Sequence, residues 1–241
     1  MIVQTGILTE CFENTNGVST SVKTQYALLE QYFPTVYQVH IYTSDISEAE
    51  PNIVKLHGTR GALNRVTTLP YPAIRLRGGL QLVYRLLRDK PDLLLVQHPS
   101  LMLPIGALVG KLRHIPRVFT AHTEYEQYIH FYTLGRSEKF QRRAKKAFRW
   151  WLRKFLPLYG EIIFPSHYMQ QSLCNWLQIP MRGVVIPTPV LPVPDLINPR
   201  ILASKWDIAS EDFVIVAAAL RGSERTAFSK PGFFTSNPRN P

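Results

Sequence analysis

The run from Leu93 to Gln97 places the tightest limit on the fold, because it is apolar without a break up to Val96 and closed by His98-Pro99-Ser100. A strand without polar alternation is covered on both faces, the habit of parallel sheets lined by helices. The amino-terminal stretch supplies the rest of the pattern. Ile2 to Thr9 reads as a strand and Thr15-Asn16-Gly17-Val18-Ser19 as a turn. Ser19 reads as the cap of a helix from about Thr20 to Tyr32, with Val22, Tyr26, Leu29 and Phe33 near one face. Tyr37 to Thr43 alternates apolar and polar residues, as a second strand does. This βαβ opening predicts an α/β fold, a doubly wound parallel sheet with right-handed crossovers.

The region 44–79 is less regular. Ile53 to Leu56 and Val66 to Leu69 read as strands, while Pro70-Tyr71-Pro72 and Gly78-Gly79 break the pattern. Helices are expected at Leu80 to Arg88 and Leu103 to Leu112, with a central strand at Val118 to Ala121. Further on, Glu161 to Pro165 reads as a strand, Ser166 as the cap of a helix to about Leu177, and Val184 to Ile186 as a last short strand. Prolines 187, 189, 192, 194 and 199 then crowd a linker. Beyond it, Pro199 to Trp206 suits a helix and Phe213 to Leu220 a strand, and after Arg221 periodicity is lost. The expected organisation is a first domain over 1–186, a linker over 187–199 and the incomplete start of a second domain over 200–241.

The central strand ends abruptly in His122-Thr123-Glu124-Tyr125-Glu126, with Tyr128 and His130 close behind. Ligands of doubly wound sheets bind at the carboxyl ends of strands, so this titratable cluster sits where chemistry is expected. Arg136 to Lys154 holds nine Arg or Lys against Glu138 alone, with Phe140, Ala144, Phe148, Trp151 and Phe155 at helical spacing. That is a basic amphipathic helix with an aromatic edge. The whole chain carries a net charge of +11, which points to an acidic partner. Anionic lipid is one such partner, and Trp150 and Trp151 suit a headgroup region. No nucleic-acid-binding signature accompanies the basic stretch, so no nucleic acid is expected as a partner. Two unrelated cysteines, Cys11 and Cys174, fit a reducing compartment. Neither a spanning run of about 20 apolar residues nor a signal-peptide pattern is present.

Five ordered pieces carry a family resemblance. They are Asn16-Gly17-Val18, the segment Pro91 to Ser100 with His98, the segment Ile115 to Thr123 with His122, Pro165-Ser166, and Val185-Ile186-Pro187-Thr188. Together they resemble the amino-terminal half of a retaining glycosyltransferase of the GT-B fold, in the large family-four group. The run His122 to His130 looks most like the enzymes that glycosylate diacylglycerol or related membrane lipids. The resemblance implies two Rossmann-like domains around a cleft, the first binding the acceptor and the second most of the nucleotide-sugar. It also implies a hexosyl transfer without a metal or other cofactor, at the inner, cytoplasmic face of a membrane to which the protein binds peripherally. The second domain of the family carries a basic pair for the diphosphate and paired glutamates for the sugar. Here the residues around Arg221 do not match, so a truncated, frame-shifted or cut chain is expected. Alternatives are a catalytically inactive membrane-surface module and a family member acting on a soluble sugar.

Under that resemblance Asn16, Gly17 and Val18 approach the donor diphosphate, although an ordinary βα turn would look the same. His122 hydrogen-bonds the transferred sugar and helps align the acceptor hydroxyl. Glu124 and Glu126 are each a candidate general base, or else loop carboxylates and partners for Arg136 and its neighbours. Tyr125, Tyr128 and His130 line an acceptor groove or pack their loop. Arg142, Arg143, Lys145, Lys146, Arg149, Trp150, Trp151 and Arg153 form the lipid-facing surface, or a solvated helix face.

Overall fold

The structure, a computed structural model, describes residues 2–13, 17–44, 46, 50–60, 72–133 and 136–188. The chain forms two compact units, Met1–Val190 and Leu191–Pro241. The second unit lies outside the described residues, as do the expected strand at Val66 to Leu69 and all but the first two residues of the linker.

In chain order the described elements are β1 (Val3–Leu8), α1 (Gly17–Tyr32), β2 (Tyr37–Thr43), β3 (Ile53–Lys55), β4 (Gly58–Arg60), β5 (Pro72–Ile74), α2 (Leu76–Asp89) and β6 (Leu93–Val96). There follow α3 (Met102–Leu112), β7 (Arg117–Thr120), α4 (Tyr125–Tyr132), α5 (Glu138–Phe155), β8 (Glu161–Phe164), α6 (His167–Leu177) and β9 (Val184–Val185). Seven strands make one sheet in the order β3-β2-β1-β6-β7-β8-β9, every pair of it parallel. β4 and β5 pair separately and antiparallel. The doubly wound parallel sheet read from the alternation of elements is therefore present.

Strand periodicity divides the core. On one face Ile7, Val39, Ile41 and Ile53 pack with Val22, Tyr26 and Leu29 of α1. On the other, Leu8, Tyr42, Leu94, Val96 and Phe119 pack with Leu82 and Leu86 of α2, Leu103 and Ala107 of α3, Leu152 of α5 and Leu173 of α6. Adjacent β1 residues thus serve opposite layers, as the pleat requires. The chain winds outward from β1 to β2 in one direction and from β6 through β9 in the other. The reversal lies between β1 and β6.

Several local expectations change. Ser19 does not cap α1. The helix starts at Gly17, and Ser19 lies buried within it, its hydroxyl donating to the Phe12 carbonyl at 2.9 Å. Gly78-Gly79 does not break α2 but lies inside its first turn, both residues buried. The cause is close approach: a Cβ on Gly78 would run into the carbonyl oxygen of His57, and one on Gly79 would meet Ile105 Cδ1 at 3.3 Å. The segment after His122 is not a loop throughout, since Tyr125 to Tyr132 is helical. Two caps stand where the sequence suggests a start: Ser166 Oγ accepts from Met169 N at 3.2 Å, and Ser137 Oγ accepts from Phe140 N at 3.4 Å.

Gly78→Ala should lower unfolding free energy by roughly 1–3 kcal/mol, the usual cost of overpacking. Chemical denaturation would show it, and an unchanged midpoint would remove the close-approach account of this glycine.

Candidate active site at the carboxyl edge of the sheet

The register sets Leu8 beside Val96 and Val96 beside Phe119. Thr9-Glu10, Gln97-His98 and Ala121-His122 therefore leave adjacent strands at one edge. Ligand crevices of open α/β sheets form there, where the winding direction reverses. Thr9, Glu10, Gln97 and His98 are all buried. Polar groups shut away from water need partners, and the partners are internal. Glu10 N donates to His98 Nδ1 at 3.2 Å, so that ring nitrogen holds a lone pair. Thr9 Oγ1 donates to Cys11 O at 2.9 Å and accepts from Cys11 N at 3.3 Å. Ile74 N donates to Glu10 Oε1 at 3.0 Å, which fastens the end of β1 to the start of α2.

Burial sets the charge of this edge. It pushes the Glu10 carboxyl up to about 7, against the hydrogen bonds from Ile74 N and Ser100. It pulls His98 down to about 3, with the nearby His122 adding to the effect, and pulls His122 itself down to about 4. Both imidazoles are neutral at pH 7.

His122 is held by a relay. Its Nε2–H donates to Gln97 Oε1 at 2.5 Å, Gln97 Nε2 donates to Gln25 Oε1 at 3.2 Å, and Gln25 Nε2 donates to Ser21 Oγ at 3.2 Å. Each amide uses its oxygen toward the sheet edge and its nitrogen toward α1. The relay leaves Nδ1 of His122 as the lone-pair atom of the ring, able to accept from a hydroxyl. It also ties the imidazole to the helix that begins at Gly17. A Cβ on Gly17 would meet nothing within 4 Å, so packing does not demand the glycine. The first turn of α1 carries no acid to offset the partial positive charge of the helix start. Asn16 lies outside the described residues.

The other expected site residues disperse. Glu124 Oε1 accepts from Tyr168 Oη at 3.0 Å and Ser172 Oγ at 3.1 Å, tethering α6. Glu126 is exposed and stands 3.8 Å from Lys145 Nζ. Tyr125 is buried edge-to-face on Phe148, whereas Tyr128 and His130 are exposed. On α5, Arg142, Arg143, Lys146, Trp150 and Arg153 face outward and Lys145 is half-buried. Trp151, expected at a lipid surface, is turned inward: its Nε1 donates to Pro99 O at 3.0 Å and its ring packs on Phe155. Arg149 also leaves the outer stripe and lines a cleft. Sequence reasoning missed Glu10, Gln97 and Gln25, because none sits in a motif and the sheet order brings them to His122. Among the described residues no three His, Cys, Asp or Glu side chains group to hold a metal ion.

A seven-stranded parallel sheet with its polar edge at the winding reversal is a Rossmann-like α/β domain, consistent with the amino-terminal domain of a GT-B glycosyltransferase. Residues 15–192 match the family described as Glycosyltransferase Family 4, and the chain belongs to that family. Its fold is similar to sucrose-phosphate synthase from Thermosynechococcus elongatus, at TM-score 0.53 and 14% identity, covering 87% of this chain and 54% of that one. A UDP-N-acetylglucosamine 2-epimerase from Rickettsia bellii is matched at TM-score 0.45 and 10% identity, over 78% of this chain and 45% of that one. MurG from Acinetobacter baumannii is matched at TM-score 0.32 and 14% identity, over 87% of this chain and 71% of that one. The chain thus spans about half the length of the first two of these proteins. No curated protein matches it in sequence.

Two outcomes are expected. Nitrogen-15 NMR at pH 7 should show His122 neutral and protonated on Nε2. Gln97→Glu should raise its pKa by roughly one to three pH units through the added carboxylate, and Gln97→Leu should release the tautomer. An Nδ1–H form in the unaltered protein would sink the relay. Separately, folded Glu10 keeps a proton between about pH 4.5 and 7 that the unfolded chain has lost. Stability from this group therefore falls as pH rises through that window, by up to about 3 kcal/mol. Glu10→Gln should gain stability relative to the parent from pH 5 to pH 8, and a pH-independent difference would contradict this account.

Proposed function

We propose that this chain is the acceptor-side half of a retaining hexosyltransferase that moves a sugar from a nucleotide-sugar to a hydroxyl of a membrane lipid such as diacylglycerol. The observation that carries the reading is the neutral His122 imidazole, fixed by Gln97 at the carboxyl edge with Nδ1 left to accept. A neutral imidazole cannot offset diphosphate charge. It can orient a sugar hydroxyl, while α1 amides at Gly17 and Val18 face the diphosphate. In the reaction the acceptor oxygen bonds the anomeric carbon as that carbon's bond to phosphate oxygen breaks. The acceptor proton passes to the departing diphosphate. Glu124 is engaged by two hydroxyl groups of α6 and Glu126 stands 3.8 Å from Lys145 Nζ, so with the diphosphate taking the proton neither carboxylate is assigned as the base.

A membrane acceptor is supported by two surfaces. The outer stripe of α5 is basic, with Lys139, Arg142, Arg143, Lys146, Arg153 and Lys154 exposed around Trp150. The apolar component comes from α2 and α3. Leu76, Leu80 and Tyr84, spaced four apart, are 75%, 66% and 62% exposed, and Leu108 and Leu112 of the adjoining α3 are also exposed. Arg75, Arg77, Arg88, Lys90, Lys111 and Arg113 surround them, and Asp89, the one acid of α2, is held by Arg88 at 2.7 Å. Leucines for the acyl boundary ringed by cations for anionic headgroups make an interfacial helix pair, each cation contributing about 1 kcal/mol. No described helix is long and apolar enough to cross a membrane. The proposed reading places the protein peripherally at the cytoplasmic face, as the family resemblance implies.

Sedimentation with phosphatidylglycerol vesicles should pellet the protein, less so at high salt. Leu76→Glu with Leu80→Glu should weaken binding at least tenfold. With this domain joined to a nucleotide-sugar-binding second domain of the family, labelled nucleotide-sugars incubated with a membrane lipid extract should yield labelled lipid, and His122→Ala should cut that rate at least 100-fold, about 2.7 kcal/mol of barrier. Label transferred only to soluble sugars would replace the lipid acceptor with a saccharide. Vesicle binding without any transfer would favour an inactive surface module.

A further inference from the structure

A cleft of about 510 Å³ lies between α4, α5 and α6, away from the basic stripe. Its walls include Glu126, Arg149, Gln171, Asn175, Trp176 and Gln178. The Nε–H of Arg149 is buried there without a protein partner, and a buried donor left unmade costs free energy unless a ligand supplies the acceptor. Gln171, Asn175 and Gln178 recur at spacings of four and three, so they share one face of α6 and the residue that caps it. From His167 to Gln178 there is no Lys, Arg, Asp or Glu, in a chain where such residues make up 19%. Amides offer donors and acceptors side by side. Trp176 adds an aromatic surface, backed by Phe148 at 6.4 Å between ring centres.

The charge of the cleft selects among ligands. The lining holds one carboxylate, Glu126, and one guanidinium, Arg149, so its own charges balance. A phosphate would meet the Glu126 carboxylate and, beyond the single guanidinium of Arg149, find amides where a phosphate site gathers several cations. An uncharged ring bearing vicinal hydroxyls suits every group present. A small cavity lined by Thr123 and Glu124 shares Glu126 and Ser172 with the cleft, which connects it to the segment leaving His122. We propose that the cleft is a saccharide subsite, holding a sugar ring of the acceptor away from the hydroxyl that reacts. The proposal rests on the acceptor-half reading and narrows it, since diacylglycerol itself carries no sugar ring and a lipid acceptor would have to be already glycosylated. The ring's two possible sources are a free oligosaccharide and a glycolipid headgroup.

The test is binding, in the absence of any nucleotide-sugar. The indole N–H signal of Trp176, assigned by Trp176→Phe, would be followed by NMR in titrations with maltotriose, with a β-linked glucose trisaccharide and with inorganic phosphate. A saccharide should move it and phosphate should not. Arg149→Met, which keeps the aliphatic stem, should weaken saccharide binding at least tenfold, and Asn175→Ala should do so from an exposed position that does not threaten folding. A parallel arm compares vesicles of equal charge with and without monoglucosyl diacylglycerol. Preference for the glycolipid that disappears in Arg149→Met identifies a headgroup, and response to free trisaccharide alone identifies a soluble acceptor. Movement by phosphate alone, or by none of these probes, overturns the proposal. His122→Ala should leave the titration unchanged, so a failed transfer reading and a failed subsite give different results.

Discussion

Everything at the carboxyl edge of the sheet follows from the burial of β1. Its two faces serve two helical layers, and both of its edges are hydrogen-bonded, to β2 and β6. When the chain leaves Leu8, no water is at hand for Thr9 and Glu10, so the following residues must satisfy one another. Cys11, His98 and Ile74 do so. Because desolvation disfavours charge on both acids and bases, the same burial that raises Glu10 lowers His98 and His122. At pH 7 the edge holds two neutral imidazoles and a carboxyl that is only partly ionised. A site of this kind positions a substrate well and neutralises it poorly. On the proposed function, the anionic part of a nucleotide-sugar would then rely on the amides at the start of α1 and on groups beyond this edge.

The strands were the most legible part of the sequence. Leu93 to Val96 has apolar residues on both sides because both sides are covered, and the alternation of elements dictated parallel pairing. Helix starts were harder. Ser19 has the chemistry of a cap, yet its hydroxyl serves Phe12 O, seven residues back, and α1 begins earlier. Gly78 and Gly79 look like a break because a glycine pair usually is one. Here their missing side chains let the start of α2 lie against the His57 carbonyl, a contact between segments that no local pattern encodes.

The site divides the same way. The place of His122 was legible because it is the polar residue that ends a buried strand, whereas Gly17, read as part of a turn before a helix from about Thr20, is itself the first residue of α1. Gln97 and Gln25 were not legible, since each looks like an ordinary polar residue until the order β1-β6-β7 is known. The amphipathic helix α5 shows a different limit. Periodicity reveals that two faces differ but not which one meets the core. Phe148, Trp151 and Phe155 belong to the core layer, so the aromatic edge that suggested lipid contact supports the sheet instead. What α5 presents to solvent is charge, with Trp150 under Lys154 at 5.1 Å as the principal aromatic among it.

That exchange of roles bears on how such a domain would meet a bilayer. Charge attracts at a distance set by screening, about 8 Å at physiological salt, but does not hold a protein at a fixed depth. Buried apolar area does, at roughly 25 cal/mol per Å². The leucines able to supply that area sit on α2, whose first turn packs on the His57 segment and whose N-terminal side is joined to Glu10 through Ile74 N. The helix best suited to enter a membrane surface is thus fastened directly to the polar edge. Depth set at Leu76 and Leu80 would fix the height of Glu10 and His98 above the headgroups, and with them His122, without any moving part. The basic stripe of α5 would then govern approach and orientation, and the leucines of α2 the distance at which a lipid hydroxyl meets the site.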